Sequence, residues 1–160
     1  MKYVLSLLLT VCLFFSASAK SNEIGKDIDV NHYEIHLKKF DIREESIEAS
    51  TTITLTAIND TDIIELELRS LTVTSVTSED VNVKDFSQKD DILSINLSST
   101  LAKDSKVSLT INYEGKTFNE NWGGIHWSND YVYNLGVGFD SNPHNLGKTW
   151  FPCVDNFSDK

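Results

Sequence analysis

The sequence predicts an all-β fold, an antiparallel β-sandwich or saddle-like domain that follows a signal peptide. Short runs in which apolar and polar residues alternate recur at regular spacing, and polar turns separate them, which is typical of strands in a sandwich. No segment after the first 19 residues has a convincing helical period. The chain therefore divides into a signal peptide (residues 1–19), a polar linker (20–30) and a β domain (31–160) that is incomplete at its C-terminus.

The first 19 residues have the three parts of a secretory signal peptide. Lys2 supplies a positive charge, residues 4–15 are nearly all apolar, and Ala17, Ser18 and Ala19 form a small-residue cleavage site. The apolar run is shorter than the ~20 residues that a membrane-spanning helix needs. We expect cleavage near Ala19, a secreted or periplasmic mature protein, and no membrane span.

The composition of the chain is acidic and poor in cysteine. Its formal net charge is −10, and removal of residues 1–19 takes away one positive charge, Lys2, to give −11. An acidic surface disfavours nucleic acid and anionic membranes as partners. Of the two cysteines, only Cys153 remains after cleavage, so the mature chain has no internal disulfide and must be held together by packing. We predict Cys153 to be a small buried side chain rather than a nucleophile.

The first strand of the domain is predicted to begin near Asn31. Apolar residues alternate with polar ones from there to Lys38, and the polar positions include two histidines, His32 and His36. On a strand, side chains four residues apart share a face but lie about 13 Å from each other, because each residue advances the chain by ~3.3 Å. That separation is too large for one metal ion, so we interpret the two histidines as part of a solvated strand face.

The second strand, residues 46–58, has one apolar and one threonine-rich face, which favours a sheet. A turn at residues 59–62 leads to a third alternating run, residues 64–68, and the two strands are predicted to form an antiparallel hairpin. The same alternation recurs at residues 71–75, 81–83, 93–97 and 107–113.

The composition changes after Phe118, where aromatic residues are mixed with glycine. The aromatic residues of interest are Trp122, Trp127, Tyr131 and Tyr133. We favour a hairpin whose aromatic rings fill the sandwich. The alternative is a platform on which the rings stack against a sugar or a peptide.

Residues 142–160 contain the most distinctive sequence motif of the chain. Trp150 and Phe151 are predicted to anchor the segment in the core, and Pro152 fixes its own φ. Lys148 is predicted to project from a strand and to form a surface ion pair with Asp155 or Asp140, which would contribute only ~0–1 kcal/mol.

This segment resembles the end of the N-terminal domain of M1-family zinc metallopeptidases, the gluzincin aminopeptidases, and most closely the bacterial secreted members. That family has a proline, a basic residue, an aromatic residue, Phe-Pro-Cys, an aspartate and a further basic residue in this order. The corresponding residues here are Pro143, Lys148, Trp150, Phe151, Pro152, Cys153, Asp155 and Lys160.

The resemblance implies a role without catalysis for this chain. In the family, two histidines of a His-Glu-x-x-His helix and a distant glutamate bind zinc. Neither this motif nor the family's Gly-x-Met-Glu-Asn motif occurs here. We therefore expect no catalytic residue, no metal ligand and no activity in this chain alone. Zinc and the catalytic domain would belong to the rest of a parent enzyme that hydrolyses peptides from the N-terminus.

The resemblance also implies a weak substrate contact. In the family, an acidic or amide side chain next to the loop proline helps to hold the α-amine of the peptide. The matching residue is Asn142, beside Pro143, and with His144 it would face the peptide cleft. The loop is one residue longer than the family's common pattern, and an amide does not neutralise an ammonium group. The other interpretation of Asn142 is a residue that starts a turn.

A second function from another class is compatible with the same sequence. The chain would then be a free-standing secreted β-sandwich module that binds carbohydrate or peptide. Its binding platform would consist of the exposed aromatic residues Trp122, Trp127, Tyr131 and Tyr133.

Overall fold

The structure, a computed structural model, describes residues 24–156. The predicted signal peptide, the first part of the linker and Lys160 lie outside the described residues. Within residues 24–156, ten strands and one 3-10 turn are the regular elements, and no helix there is long or apolar enough to cross a membrane. The all-β prediction is confirmed.

The strands are short to medium in length and follow one another closely. They are β1 (Ile28–Asp41), β2 (Ser46–Ala57), β3 (Thr61–Glu67), β4 (Thr72–Thr77), β5 (Val83–Lys89), β6 (Ile92–Leu101), β7 (Lys106–Lys116), β8 (Asn119–Glu120), β9 (Gly123–Ser128) and β10 (Tyr131–Leu135). The 3-10 turn is Gly147–Thr149.

The strands form three antiparallel sheets. The first sheet has the order β1-β2-β7-β4, the second β3-β6-β5 and the third β10-β9-β8. The first and second sheets pack face to face, because the buried apolar residues of both belong to one hydrophobic cluster. This part of the molecule is the predicted sandwich.

The predicted hairpin between the second and third strands is wrong. β2 pairs with β1 and β7, whereas β3 pairs with β6 in the other sheet. The turn at residues 58–60 therefore carries the chain from one sheet to the other. Ile53 of β2 and Leu66 of β3 are both fully buried, so the alternation correctly identifies the inner face of each strand. An alternating pattern does not identify the strand's neighbour.

β1 begins at Ile28, earlier than the predicted start at Asn31. Ile28 and Val30 are buried in the core, so the last residues of the predicted linker belong to the domain. Farther along β1, His32 and His36 are exposed, and the His36 imidazole lies 3.0 Å from the exposed Glu34 carboxylate. The interpretation of these histidines as a solvated strand face is confirmed.

Tyr113 of β7 connects the core to the C-terminal segment. Its ring is buried, and its hydroxyl donates a hydrogen bond to the Trp150 carbonyl at 3.0 Å. Since the phenol has a single proton, the bond to Thr51, also 3.0 Å, is donated by the Thr51 hydroxyl. Burial raises the pKa of Tyr113 to about 12, so the donor is retained at all physiological pH values.

The third sheet turns its aromatic residues in two directions. Trp127 packs against the core, meets Phe40 edge-on and donates its indole N–H to the Thr117 hydroxyl at 2.8 Å. Trp127 is the register partner of Val132, and Tyr133 is the partner of His126. Partners share a face and neighbouring residues do not, so Tyr131 and Tyr133 lie on the face opposite Trp127. Both tyrosines are exposed. The prediction that the rings fill the sandwich holds for Trp127 and is wrong for Tyr131, Tyr133 and Trp122, the last of which is 62% exposed.

Candidate functional site

The C-terminal segment with the distinctive sequence motif, described here up to residue 156, lies against the end of β3 and is not a strand. Glu67 and Cys153 exchange two backbone hydrogen bonds, with N–O distances of 2.7 and 3.0 Å, and Arg69 N–H donates to the Lys148 carbonyl at 2.7 Å. Lys148 lies in the 3-10 turn, so the prediction that it projects from a strand is wrong. Cys153 is 4% exposed, in agreement with its predicted burial.

The aromatic anchors of this segment are partly confirmed. Phe151 packs against the core and meets the Tyr33 ring edge-on, with ring centroids 5.3 Å apart. Trp150 is half-buried and meets Phe151 edge-on at 4.8 Å. The Val154 N–H donates to the Tyr33 hydroxyl at 3.1 Å, which ties the end of the segment to β1.

Lys148 is the centre of a buried charge cluster. Its Nζ lies 2.6 Å from Oε1 of Glu67 and 3.9 Å from Oδ2 of Asp155, and the three side chains are only 10–18% exposed. The predicted pairing with Asp155 exists, but it is neither on the surface nor the shortest contact. Asp140 instead accepts a hydrogen bond from Asn121 at 3.2 Å. Glu67 was missed, because its position in an alternating strand looks like that of any outward polar residue.

Asp155 closes the segment on itself. Its carboxylate accepts the N–H groups of Gly147 and Lys148 at 3.2 and 3.3 Å, and its own N–H donates to Glu67 Oε2 at 3.2 Å. Burial raises the pKa of Asp155, an effect that outweighs the hydrogen bond from Lys148 N–H and the nearby Lys148 charge, both of which lower it. The cluster therefore holds a carboxylate that is desolvated at neutral pH.

The loop before the motif exposes the predicted substrate-contacting residues. Asn142, Pro143 and His144 are all exposed, and the Asn142–Pro143 peptide bond is cis. The His144 carbonyl accepts a hydrogen bond from Gly138 N–H at 2.7 Å, which fixes the width of the loop. The structure brings Asn142 and His144 to the same loop tip, and their role toward a substrate stays a prediction.

An open groove runs beside this loop tip. Asn142 and Pro143 line one side of it, and Arg69, Phe118 and Glu120 are among the residues that line the rest. The Arg69 guanidinium stacks 3.7 Å above the Phe118 ring. The groove has both signs of charge, since Arg69 and Glu120 both reach it.

Glu120 joins β8 to the loop. It accepts hydrogen bonds from the Ser141 hydroxyl at 2.5 Å and from Asp140 N–H at 3.0 Å. The Ser141 bond is the main reason that the pKa of Glu120 lies below its usual value. Sequence reasoning missed Arg69 and Glu120, because nothing local distinguishes them from the other charged residues in and beside the strands.

The described residues do not form a metal site. Within residues 24–156 no group of three or more histidine, cysteine, aspartate or glutamate side chains is arranged to hold a metal ion. The Glu67 and Asp155 carboxylates both lie beside the Lys148 ammonium.

Apolar side chains are exposed on the third sheet and on the loop that follows it. We call this set the aromatic surface, and its members are 46–72% exposed: Trp122, Tyr131, Tyr133, Val137 and Phe139. Trp122 and Phe139 meet edge-on at 6.0 Å, and Tyr133 stacks on His126 at 5.2 Å. The four rings of the predicted binding platform do not share one face, because Trp127 points inward.

Comparisons with known proteins agree with this fold. A sequence model of the peptidase M1 N-terminal domain matches residues 29–160. A search of curated proteins gave no match. Among solved structures, the M1 zinc metallopeptidase from Deinococcus radiodurans is 24% identical with a TM-score of 0.66, and the match covers 84% of this chain and 30% of that chain.

Two related structures give similar values. A mutant of the Deinococcus radiodurans enzyme bound to a Tyr-Ser-Ala substrate is 24% identical, with a TM-score of 0.66 and coverage of 84% and 31%. A mutant of a two-domain M1 zinc metallopeptidase bound to L-tryptophan is 23% identical, with a TM-score of 0.69 and the same coverage. At these identities the structural matches show the fold, and this chain spans less than a third of the matched proteins.

Proposed function

The chain belongs to the peptidase M1 N-terminal domain family, and from this premise we propose that it is the non-catalytic N-terminal domain of a secreted zinc metallopeptidase. In this proposal the domain packs on a catalytic domain and helps to shape the peptide-binding cleft. The main support for this proposal is the family match over residues 29–160. In addition, this chain covers only 30–31% of the length of the matched M1 zinc metallopeptidases.

We place the catalytic chemistry in the rest of the parent polypeptide. Zinc supplies a Lewis acid and an activated water in metallopeptidases, but the side chains of residues 24–156 do not fit such an ion. Their acidic residues are spread over the surface or, at Glu67 and Asp155, are paired with Lys148. The parent enzyme would hydrolyse peptides from the N-terminus.

This domain's own contribution would come from the loop tip with Asn142 and His144. Both side chains are exposed and Asn142 lines the groove, where its amide oxygen is able to accept a hydrogen bond from the α-ammonium group of a peptide. Glu120 and Asp140 lie near the same tip and add negative charge. Arg69 lines the same groove with the opposite charge, so the Asn142 amide, rather than the net charge of the groove, is the group that we propose to hold the peptide N-terminus.

The test is Asn142→Ala in the full polypeptide. A hydrogen bond to a charged group contributes ~1.5–3 kcal/mol, so we expect the KM for peptides with a free N-terminus to rise roughly tenfold or more. Asn134→Ala is the matched control, because Asn134 is an exposed asparagine on β10 and should leave KM unchanged. An unchanged KM for Asn142→Ala would assign Asn142 to the turn alone.

Two simpler measurements test the rest of the proposal. The coding sequence beyond codon 160 should encode His-Glu-x-x-His and a later glutamate; a stop codon at that point would refute the proposal. N-terminal sequencing of the mature protein should begin at Lys20, since cleavage is expected after Ala19. A mature protein that begins at Met1 would refute secretion through this signal peptide.

A further inference from the structure

The loop with Asn142 is held in different ways at its base and at its tip. At the base, Gly138 N–H donates a hydrogen bond to the His144 carbonyl at 2.7 Å. At the tip, residues 139–143 are exposed or half-buried. An exposed loop tip is mobile unless side chains from the rest of the fold hold it. The position of Asn142 therefore depends on side-chain contacts to the residues beside it.

The Glu120 carboxylate of β8 makes two such contacts. Its Oε1 accepts a hydrogen bond from Asp140 N–H at 3.0 Å, and its Oε2 accepts one from the Ser141 hydroxyl at 2.5 Å. These are the two residues that directly precede Asn142. A Cβ atom added at Gly138 would overlap Oε1 of Glu120, so the carboxylate also lies directly against the backbone of the loop. Both of its oxygens are thus engaged with the loop.

Arg69, just after β3, contacts the same tip. Its backbone is fixed by the hydrogen bond that its N–H donates to the Lys148 carbonyl at 2.7 Å, and its guanidinium stacks 3.7 Å above the Phe118 ring. Its Nη1 donates to the Ser141 hydroxyl oxygen at 3.4 Å. Ser141 can accept this bond while it donates its one proton to Glu120. The Ser141 side chain is therefore held by two partners from different parts of the chain.

We propose that Glu120 is a positioning residue, which holds the loop tip so that the Asn142 amide meets the α-ammonium group of a peptide. This inference deepens the proposed function and rests on it. The other role for Glu120 is a direct attraction between its charge and the ammonium group. Both carboxylate oxygens already bind the loop, at Asp140 and Ser141, so Glu120 acts on the peptide through Asn142. A loop ordered before the peptide binds loses less entropy on binding.

Two substitutions of Glu120 in the full polypeptide separate positioning from direct charge. Glu120→Ala removes both hydrogen bonds to the tip, and we expect the KM for peptides with a free N-terminus to rise roughly three- to tenfold with kcat unchanged. Glu120→Gln keeps both bonds, because the amide oxygen accepts Asp140 N–H and the amide NH2 donates to the Ser141 oxygen. The KM of this variant should therefore stay within about twofold of the wild type. An equal rise in KM for both variants would assign the effect to the charge and overturn the inference.

A double variant tests whether Glu120 acts through Asn142. In a chain that already has Asn142→Ala, the further change Glu120→Ala should raise KM no more, whereas independent contacts would multiply their effects. Multiplied effects would overturn the inference. Glu34→Ala is the control, because the Glu34 carboxylate is 59% exposed on β1 and its removal should leave KM unchanged.

Hydrogen exchange of the same polypeptide tests the hold on the loop without a substrate. Glu120→Ala should accelerate exchange of the Asp140 amide at least about threefold. The Ile58 amide, which donates to the Asp27 carbonyl at 2.8 Å, is the internal reference and should not change. Unchanged Asp140 exchange in a polypeptide that hydrolyses peptides would overturn the inference while the proposed function stands. If Asn142→Ala leaves KM unchanged, the proposed substrate contact fails and the positioning role fails with it, even where Asp140 exchange is accelerated.

Discussion

The two-sheet core and the third sheet use apolar residues in opposite ways. In the core, both sheets turn an apolar face toward each other, and residues such as Leu109 and Ile53 are fully buried. The third sheet has a covered inner face, with Ile125 and Trp127, and an outer face on which Tyr131 and Tyr133 are exposed. The difference teaches that the core closes on itself, whereas the third sheet buries apolar side chains on one face only and exposes aromatic rings on the other.

The buried charge cluster joins the end of β3 to the C-terminal segment, a junction that we call the seam, and Lys148→Met should have the largest effect on stability. Loss of the ammonium group leaves the Glu67 and Asp155 carboxylates buried without a cation, which we expect to lower the free energy of unfolding by about 3–5 kcal/mol. Urea denaturation measures this. Lys116→Met is the control, because the Lys116–Glu44 pair is 76% and 67% exposed and should contribute only ~0–1 kcal/mol. Equal losses in the free energy of unfolding for both variants would show that Lys148 contributes no more to stability than an exposed lysine.

The second prediction compares one apolar residue from each region. Leu109→Ala removes a fully buried side chain and should lower the free energy of unfolding by about 2–5 kcal/mol. Phe139→Ala removes a larger side chain that is 72% exposed, so we expect a change within about 0.5 kcal/mol. Urea denaturation of the two variants gives both values. A large loss for Phe139→Ala would show that the third sheet supports the fold of this chain.

The third prediction tests whether the third sheet can be disturbed separately. Gly124 has a φ of +81°, and a Cβ atom there would lie 2.3 Å from the Phe118 carbonyl oxygen. Gly124→Ala should therefore cost about 1–3 kcal/mol and raise hydrogen exchange in β9 and β10 more than in β2 and β7. Gly136→Ala is the control, since no heavy atom lies within 4 Å of its Cβ position. Equal acceleration in all sheets would mean that the three sheets unfold as one unit.

The smallest expected effect concerns the pH dependence of the seam. The pKa of Asp155 is raised above its ordinary 3.8 by burial, so between 3.8 and the raised value the folded chain binds more protons than the unfolded chain. Asp155 therefore lowers stability at neutral pH, and this penalty disappears as the pH falls through the folded pKa. Relative to Asp155→Asn, the wild type should gain stability as the pH falls from about 7 to about 4.

The pKa of Asp41 is shifted in the opposite direction to that of Asp155, so Asp41→Asn should change the pH dependence of stability with the opposite sign. The Glu44 N–H holds the pKa of Asp41 below 3.8, so Asp41 stabilises the fold above that pH. This contribution is lost as the pH falls below 3.8 through the folded pKa. The stability difference between the wild type and Asp41→Asn should therefore shrink only in strong acid. A pH-independent difference for Asp155→Asn would contradict the raised pKa.

The sequence was sufficient for the strands but not for their partners. Alternation in β2 identified the buried side chains Ile53 and Leu55, because the pleat places every second residue on one face. It did not show that β2 and β3 belong to different sheets, since pairing depends on residues far along the chain.

The candidate site shows the same division. The aromatic anchors and the burial of Cys153 followed from residue type. The burial of Lys148 did not follow from residue type, because its partner Glu67 is distant in sequence and occupies an ordinary position in a strand. In the third sheet, both faces have aromatic rings, so the pattern alone did not reveal that Trp127 is the one turned inward.

The pairing of distant segments also has a consequence for synthesis. Ser46 pairs with Lys116, and Glu67 pairs with Cys153. β2 and the end of β3 therefore cannot form these pairings until the ribosome has synthesised residues that lie much later in the chain. A nascent chain emerging from the ribosome can form the β1–β2 hairpin early, but a two-stranded ribbon is only marginally stable in water. Ribosome-bound chains should accordingly remain protease-sensitive until β7 has emerged.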